Sequence, residues 1–269
     1  MKAKDLLNYF LDKATWVNRD NTVDEIIIGD PEKNIKKLLV VWQPSITSIK
    51  HAIKFEYDAI MTHEPTFYCH GNELRHIDSL CDNSATKKMA MEKKRLIEDS
   101  GLVIIRNHDI WDRFPDYGIP SAWAKHLGLS DYPKTTANDG MQCMFEVPPV
   151  SVYEFAKKLA NNGNINPREI QIFGEKDRLM SKVGIGTGCI CEIDYYAKMN
   201  CDLFIMCDDG ASFWSEISLA NDMDIPVIRV FHATSEEMGM DFMAKYMNEH
   251  FSHIQTDYFP FDTQVSFLL

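Results

Sequence analysis

Asp58-Ala59-Ile60-Met61-Thr62-His63-Glu64-Pro65-Thr66-Phe67-Tyr68-Cys69-His70 (residues 58–70) is the stretch on which the fold turns. Apolar residues run up to Thr62, His63 and Glu64 then stand together, and Pro65 ends the run. A short apolar run closed by a breaker reads as a buried strand. In open α/β sheets, ligands bind beyond the carboxyl ends of the strands. His63 and Glu64 are therefore candidate metal ligands at a strand end.

Working outward, the pattern alternates strand and helix. Leu6, Leu7, Phe10, Leu11 and Ala14 share one face of a helix over 5–14, and Gly29-Asp30-Pro31 is a turn. Lys37–Trp42 reads as a strand, and Pro44-Ser45 opens a helix that turns Ile46, Ile49, Ala52 and Ile53 inward. Residues 65–83 read as an irregular loop. A helix follows from Ser84 to Ser100, closed by Gly101, then a strand Leu102–Arg106. Pro120 starts a helix that ends at Gly128. Such alternation implies a mainly parallel sheet.

Residues 130–140 are polar and punctuated by Gly and Pro, which marks a domain boundary. Beyond them the pattern gives a strand Met141–Val147, a helix Ser151–Ala160 and strands near 182–185, 203–207 and 227–231. Helices are expected near 189–199, 213–222 and 235–250, and a last strand near 254–259. The stretch Cys201-Asp202-Leu203-Phe204-Ile205-Met206-Cys207 echoes Tyr57–His63, as either a repeat or a chance likeness of two buried strands. The expected organisation is two related α/β units: 1–130 with 225–269, and 131–224.

Composition narrows the function. The 269 residues carry 45% hydrophobic and 25% charged side chains, an ordinary globular balance. A net charge of −12 argues against general binding to nucleic acid or anionic membranes, both of which need clustered Lys and Arg. No apolar run approaches the ~20 residues of a spanning helix. The seven scattered cysteines, with no signal-peptide pattern ahead of them, read as reduced thiols of a cytoplasmic protein.

The chemistry comes from an arrangement that recurs. Val103–Asn107 runs into His108, with Asp112 four residues on, and Val227–Phe231 runs into His232, with Glu236 four residues on. On a helical turn, positions i and i+4 share a face, so each imidazole can meet its carboxylate. With His63-Glu64 there are three strand ends, each offering a His and an acid. Imidazole and carboxylate together suit zinc, manganese, iron or nickel, and a cation relieves the repulsion within an acidic cluster. His63-Glu64 is not a zincin helix, because Pro65 breaks it and Phe67 stands where the second His would be.

These motifs resemble the Nif-three-like family of toroidal dinuclear-metal proteins, whose bacterial members are often labelled type-two GTP cyclohydrolases. Its Thr-His-His-Pro motif appears as Thr62-His63-Glu64-Pro65, and its His-Thr-Asn-x-Asp motif as His108-Asp109-Ile110-Trp111-Asp112, with Leu127-Gly128-Leu129 after it. Its Gly-His-x-x-x-Glu motif appears as Phe231-His232-Ala233-Thr234-Ser235-Glu236, and Ile28-Gly29-Asp30-Pro31 matches near the start. The resemblance implies two divalent metal ions in a cleft between the α/β units, bound by His63, Glu64, Asp112, His232 and Glu236. It also implies a catalytic or ligand-holding His108 and a hexameric ring. Glu64 replaces a second His, and an anionic oxygen there favours Mn²⁺, Mg²⁺ or Fe²⁺ over a pure zinc preference.

Two functional readings follow. One is a metal-dependent hydrolase acting on a small anionic substrate, a nucleotide or phosphoester. The other is a non-catalytic metal-binding ring that acts through partners. Secondary features stay open: Gly184–Gly188 reads as a tight turn or a phosphate-facing loop. Asp208-Asp209 reads as a solvated turn or a second acidic lip, and Cys189-x-Cys191 as small buried residues. Lys87, Lys88, Lys93, Lys94 and Arg95 read as a solvated helix face or a basic rim that attracts anionic substrates. His70 and His76 lie in the loop that could approach the metals.

Overall fold

Strand and helix alternate from the first residues, as the hydrophobic periodicity predicts. The structure, a computed structural model, describes residues 1–268. In chain order come α1 (Ala3–Lys13), β1 (Ile26–Ile28), β2 (Lys37–Val41), α2 (Ile46–Lys54), β3 (Ala59–Thr62), α3 (Glu73–Ser79), α4 (Ala85–Ser100) and β4 (Val103–Arg106). There follow α5 (Ile119–His126), β5 (Lys134–Ala137), β6 (Gln142–Ser151), α6 (Val152–Asn162), β7 (Gln171–Phe173), β8 (Leu179–Ile185), α7 (Ile193–Lys198) and β9 (Leu203–Cys207). Last are α8 (Ser218–Asp222), β10 (Val227–Val230), α9 (His232–His250) and β11 (Gln255–Phe259). The chain divides into two compact units, Met1–Phe114 with Met240–Gln264, and Pro115–Gly239 with the residues from Val265. The division falls at 114/115 and inside α9, where composition had pointed to 130/131 and 224/225.

The first unit holds a five-stranded sheet in the order β1-β4-β3-β2-β11. All its pairs are parallel except β1 with β4. Every residue of β3 and β4 is buried, which fits strands covered on both faces. Ile49 and Ala52 of α2 and Ala90 and Ile97 of α4 join Ile60 and Ile104 in one core. Ser45 starts α2 through a reciprocal capping box with Ser48, each hydroxyl accepting the other's backbone N–H at 2.9 Å. Gly101 closes α4 in the left-handed conformation, at φ 67°.

The second unit holds six strands in the order β5-β6-β8-β9-β10-β7. Its centre, β8-β9-β10, is parallel, while β5, β6 and β7 join antiparallel. Along β9 the side chains alternate. Leu203, Ile205 and Cys207 enter a core with Trp123, Phe155 and Leu159, while Phe204 and Met206 enter another with Ile193, Tyr196 and Ala220.

Four departures from the sequence reading have local causes. α3 stands inside the expected loop 65–83, capped by Asn72, whose side chain accepts the Arg75 N–H at 2.9 Å. β1, β5 and β7 are edge strands of three or four residues, too short for periodicity to register. α9 begins at His232, three residues earlier than expected. Lys93 is buried, not on a solvated face. Among the described residues, no helix is long and apolar enough to cross a membrane.

Candidate metal centre

β3 and β4 lie side by side and parallel, with Thr62 opposite Arg106, so the segments that leave them emerge at the same sheet edge. The Thr62 hydroxyl donates to the carbonyls of Trp42 (3.1 Å) and Glu64 (2.9 Å), and the Glu64 N–H donates to the Trp42 carbonyl at 2.7 Å. These bonds hold the backbone just past the strand and fix where His63 and Glu64 leave it. The His63 and His108 rings stack with centroids 4.3 Å apart. His63 Nδ1 lies 3.4 Å from the Asn107 carbonyl, which can only accept, so Nδ1 carries the proton. His63 Nε2 then presents its lone pair, 3.5 Å from Asp112 Oδ1. His63, Glu64 and Asp112 are all buried.

Asp112 reaches the same point because its N–H closes a helical turn on the His108 carbonyl at 2.9 Å. His108 Nδ1 stands 3.0 Å from Asp109 Oδ1 and 3.3 Å from Asp112 Oδ2. Its Nε2 stands 3.2 Å from His70 Nε2 and 3.9 Å from Glu64 Oε1. Behind this turn the buried Asp24 carboxylate accepts the backbone N–H groups of His108 and Ile110. The Thr22 hydroxyl lies 2.8 Å from both Asp24 and Asp109. Burial, aided by the neighbouring Asp109 charge, pushes the Asp24 carboxyl up to about 6. Burial would also raise Asp109, but hydrogen bonds from His108 and Thr22 outweigh it and hold that carboxyl below the usual range. Burial and the positive charge of Arg106 lower the His70 imidazole.

The second unit carries its own pair. Val230 ends β10, and His232 opens α9 with Glu236 one turn along. His232 Nε2 lies 2.8 Å from Glu236 Oε2, and Nδ1 lies 2.7 Å from Asp209 Oδ2. The backbone N–H of His232 donates to Asp208 at 2.6 Å. Asp208 and Asp209 are thus more than a solvated turn, since between them they hold the backbone and the ring of His232. Gly188 has φ +53°, and a Cβ there would press on Glu236 Oε1 and stand 2.7 Å from His232 Nε2. Its N–H donates to Ser235 Oγ at 3.2 Å. The Gly-rich turn is glycine here because its backbone packs against the His232–Glu236 pair.

Of the predicted site residues, the first unit brings His63, Glu64, Asp112 and His108 together, and the second pairs His232 with Glu236. In the first unit, ligand atoms of His63, Glu64 and His108 lie within 4.8 Å of one another, as do those of His108, Asp109 and Asp112. Imidazoles oriented by hydrogen bonds on their far nitrogens, facing buried carboxylates, are the donor set of a borderline-to-hard divalent cation. The residues present therefore fit such an ion. Sequence reasoning missed Asp24, Asp109 and the role of Gly188, and offered Asp209 only as an alternative to a solvated turn. A carboxylate directly after one motif His, and another at the end of the preceding strand, was the signal available for Asp109 and Asp209. Asp24 had none, because it acts from 84 residues away.

The chain is similar to known proteins over most of its length. A protein of Chlamydia muridarum (strain MoPn / Nigg) named "GTP cyclohydrolase 1 type 2 homolog" is 23% identical over 225 residues, which cover 82% of this chain and 83% of that protein. Among solved structures, a hypothetical protein of Staphylococcus aureus matches with a TM-score of 0.76 at 17% identity, covering 100% of this chain and 99% of its own. Reduced HcgD from Methanocaldococcus jannaschii matches with a TM-score of 0.72 at 17% identity, covering 96% and 97%. At these identities the structural matches speak for the fold alone. The model of the Duf34/NIF3 (NGG1p interacting factor 3) family matches residues 1–264, and the chain belongs to that family.

Proposed function

We propose that this protein binds two divalent metal ions, Zn, Mn, Fe or Mg, and uses them to hydrolyse a small anionic substrate, a nucleotide or phosphoester. The ligands in this reading are His63, Glu64 and Asp112 of the first unit with His232 and Glu236 of the second. The observation that carries it is the convergence of His63, Glu64, His108 and Asp112 at one sheet edge, with the imidazoles stacked and the carboxylates buried. A bound divalent ion supplies charge to a phosphoryl or carbonyl oxygen and brings the pKa of water towards neutrality.

The chain's own residues do the rest. His63 keeps its proton on Nδ1 and faces the carboxylates with Nε2. His108 has Asp109 on one ring nitrogen and His70 on the other, so it is placed to take a proton at one and pass it from the other. The curated relatives' name keeps a purine nucleotide among the candidate substrates. The reading places the protein in the cytoplasm as a homo-oligomer, a hexameric ring by family resemblance. The seven cysteines are free, which suits a reducing compartment.

The test is metal-loaded wild type against Asp112→Ala and His232→Ala, with GTP and a panel of phosphoesters. Activity that falls with metal content supports the hydrolase. Turnover equal in all three rejects it, and metal bound without turnover on any substrate favours the ring scaffold.

A further inference from the structure

Between the end of β3 and Asn72 the chain has no helix or strand of its own, yet it carries His63, Glu64 and His70. Backbone polar groups in a buried loop must find partners. Here the partners are three buried charged side chains from other elements. Arg106, the last residue of β4, donates Nε to the His63 carbonyl and Nη1 to the His70 carbonyl, each at 3.1 Å. Lys93 of α4 donates Nζ to the Thr66 carbonyl at 2.8 Å and to the Pro44 carbonyl at 2.7 Å. Glu73, the first residue of α3, accepts the Phe67 N–H at 2.6 Å and lies 3.8 Å from Arg106 Nη1.

The loop also contains a residue that needs holding. Tyr68 has φ 63°, a left-handed conformation that bulky side chains avoid, and the Lys93 ammonium sits over its ring at 4.2 Å. Burying three charges is unfavourable unless they are paired or hydrogen-bonded. Apolar side chains would fill that space at lower cost, but they would leave the carbonyls of 63, 66 and 70 without these donors.

We infer that Arg106, Lys93 and Glu73 are positioning residues: together they clamp segment 63–70 and so set where His63, Glu64 and His70 stand. The fork of Arg106 matters to this, because one rigid planar group holds two carbonyls seven residues apart in sequence in a fixed mutual direction, whereas an ammonium is a point donor on a flexible stem. The inference rests on the metal-binding reading for its consequence, but on the hydrogen bonds alone for the clamp.

The test uses the full chain and Mn²⁺ as probe, with Arg106→Lys, Lys93→Met and the core control Ile97→Ala. Three quantities are read: the Mn²⁺ dissociation constant by calorimetry, amide hydrogen exchange over 66–72, and Tm. The clamp predicts about tenfold weaker Mn²⁺ binding and faster loop exchange in Arg106→Lys and Lys93→Met. Ile97→Ala is expected to lose Tm while keeping both. Wild-type affinity and exchange in the two loop variants overturn the clamp, and so does an equal loss of affinity in Ile97→Ala. If wild type binds no Mn²⁺, the metal reading fails by itself. Loop exchange then decides: slow in wild type and fast in both variants upholds the clamp, and equal exchange rejects it.

Discussion

At position 188 one methyl group is enough to disturb the second unit's His–acid pair. Gly188→Ala forces a left-handed φ on a residue with a Cβ and drives that Cβ against Glu236 and His232. The expected cost is about 1–3 kcal/mol of stability. His232 or Glu236 must also move, so metal stoichiometry should fall; thermal denaturation and elemental analysis read the two effects separately. Asp209 makes a complementary case. Its carboxylate holds His232 Nδ1 from an exposed position, so Asp209→Asn should leave folding intact and weaken metal binding about tenfold. Unchanged affinity by calorimetry would remove Asp209 from the site. At this scale the sequence was a fair guide to the groups that carry chemistry, because His63, His108 and His232 each follow an apolar run and bring an acid with them. It was a poor guide to what holds them. Asp24, Glu73 and Arg106 act across the chain, and nothing local marks a carboxylate or guanidinium that will be buried.

Elements with a strong period were legible, and their neighbours were not. β2, β3, β4 and β9 are nearly continuous apolar runs, which read as buried parallel strands once helices separate them. α3 has seven residues and a polar face, so its Asn72 cap was the one cue, and its first residue carries an uncommon charge. Burial drives the Glu73 carboxyl up to about 7, against the lowering effects of the Phe67 N–H and of Arg106. A raised carboxyl pKa means that the folded state holds the proton more tightly than the unfolded chain. The contribution is therefore complete below the unfolded pKa, 4.5, and is lost as pH rises through about 7. The loss is on the order of 3 kcal/mol between those limits. Urea denaturation from pH 4.5 to 8 should show this component in wild type and lack it in Glu73→Gln. A variant with the same pH profile as wild type would show that Glu73 stays ionised throughout.

For the whole molecule, 40 acidic side chains against 28 basic ones set the terms. Cations that bind the folded chain and not the unfolded one raise its stability by mass action, about 2.7 kcal/mol at a hundred times the dissociation constant. For a chain of this size that corresponds to roughly 5–10 °C in Tm. Mn²⁺ should therefore raise Tm, and a chelator should reverse the rise. Non-specific screening of the acidic surface gives a different result, since Na⁺ at matched ionic strength would then do as well. The same melt tests which residues share a centre. If His63, Glu64 and Asp112 act together with His232 and Glu236, His63→Ala and Glu236→Ala each reduce the Mn²⁺ shift, and the double variant loses less than the sum of the two single losses. If only His63→Ala does so, the ions are held by the first unit alone, and His232 and Glu236 need another role. Light scattering on the same samples reads the assembly: a hexamer carries the family resemblance through to the quaternary level, and a monomer with a full Mn²⁺ shift would separate metal binding from ring formation.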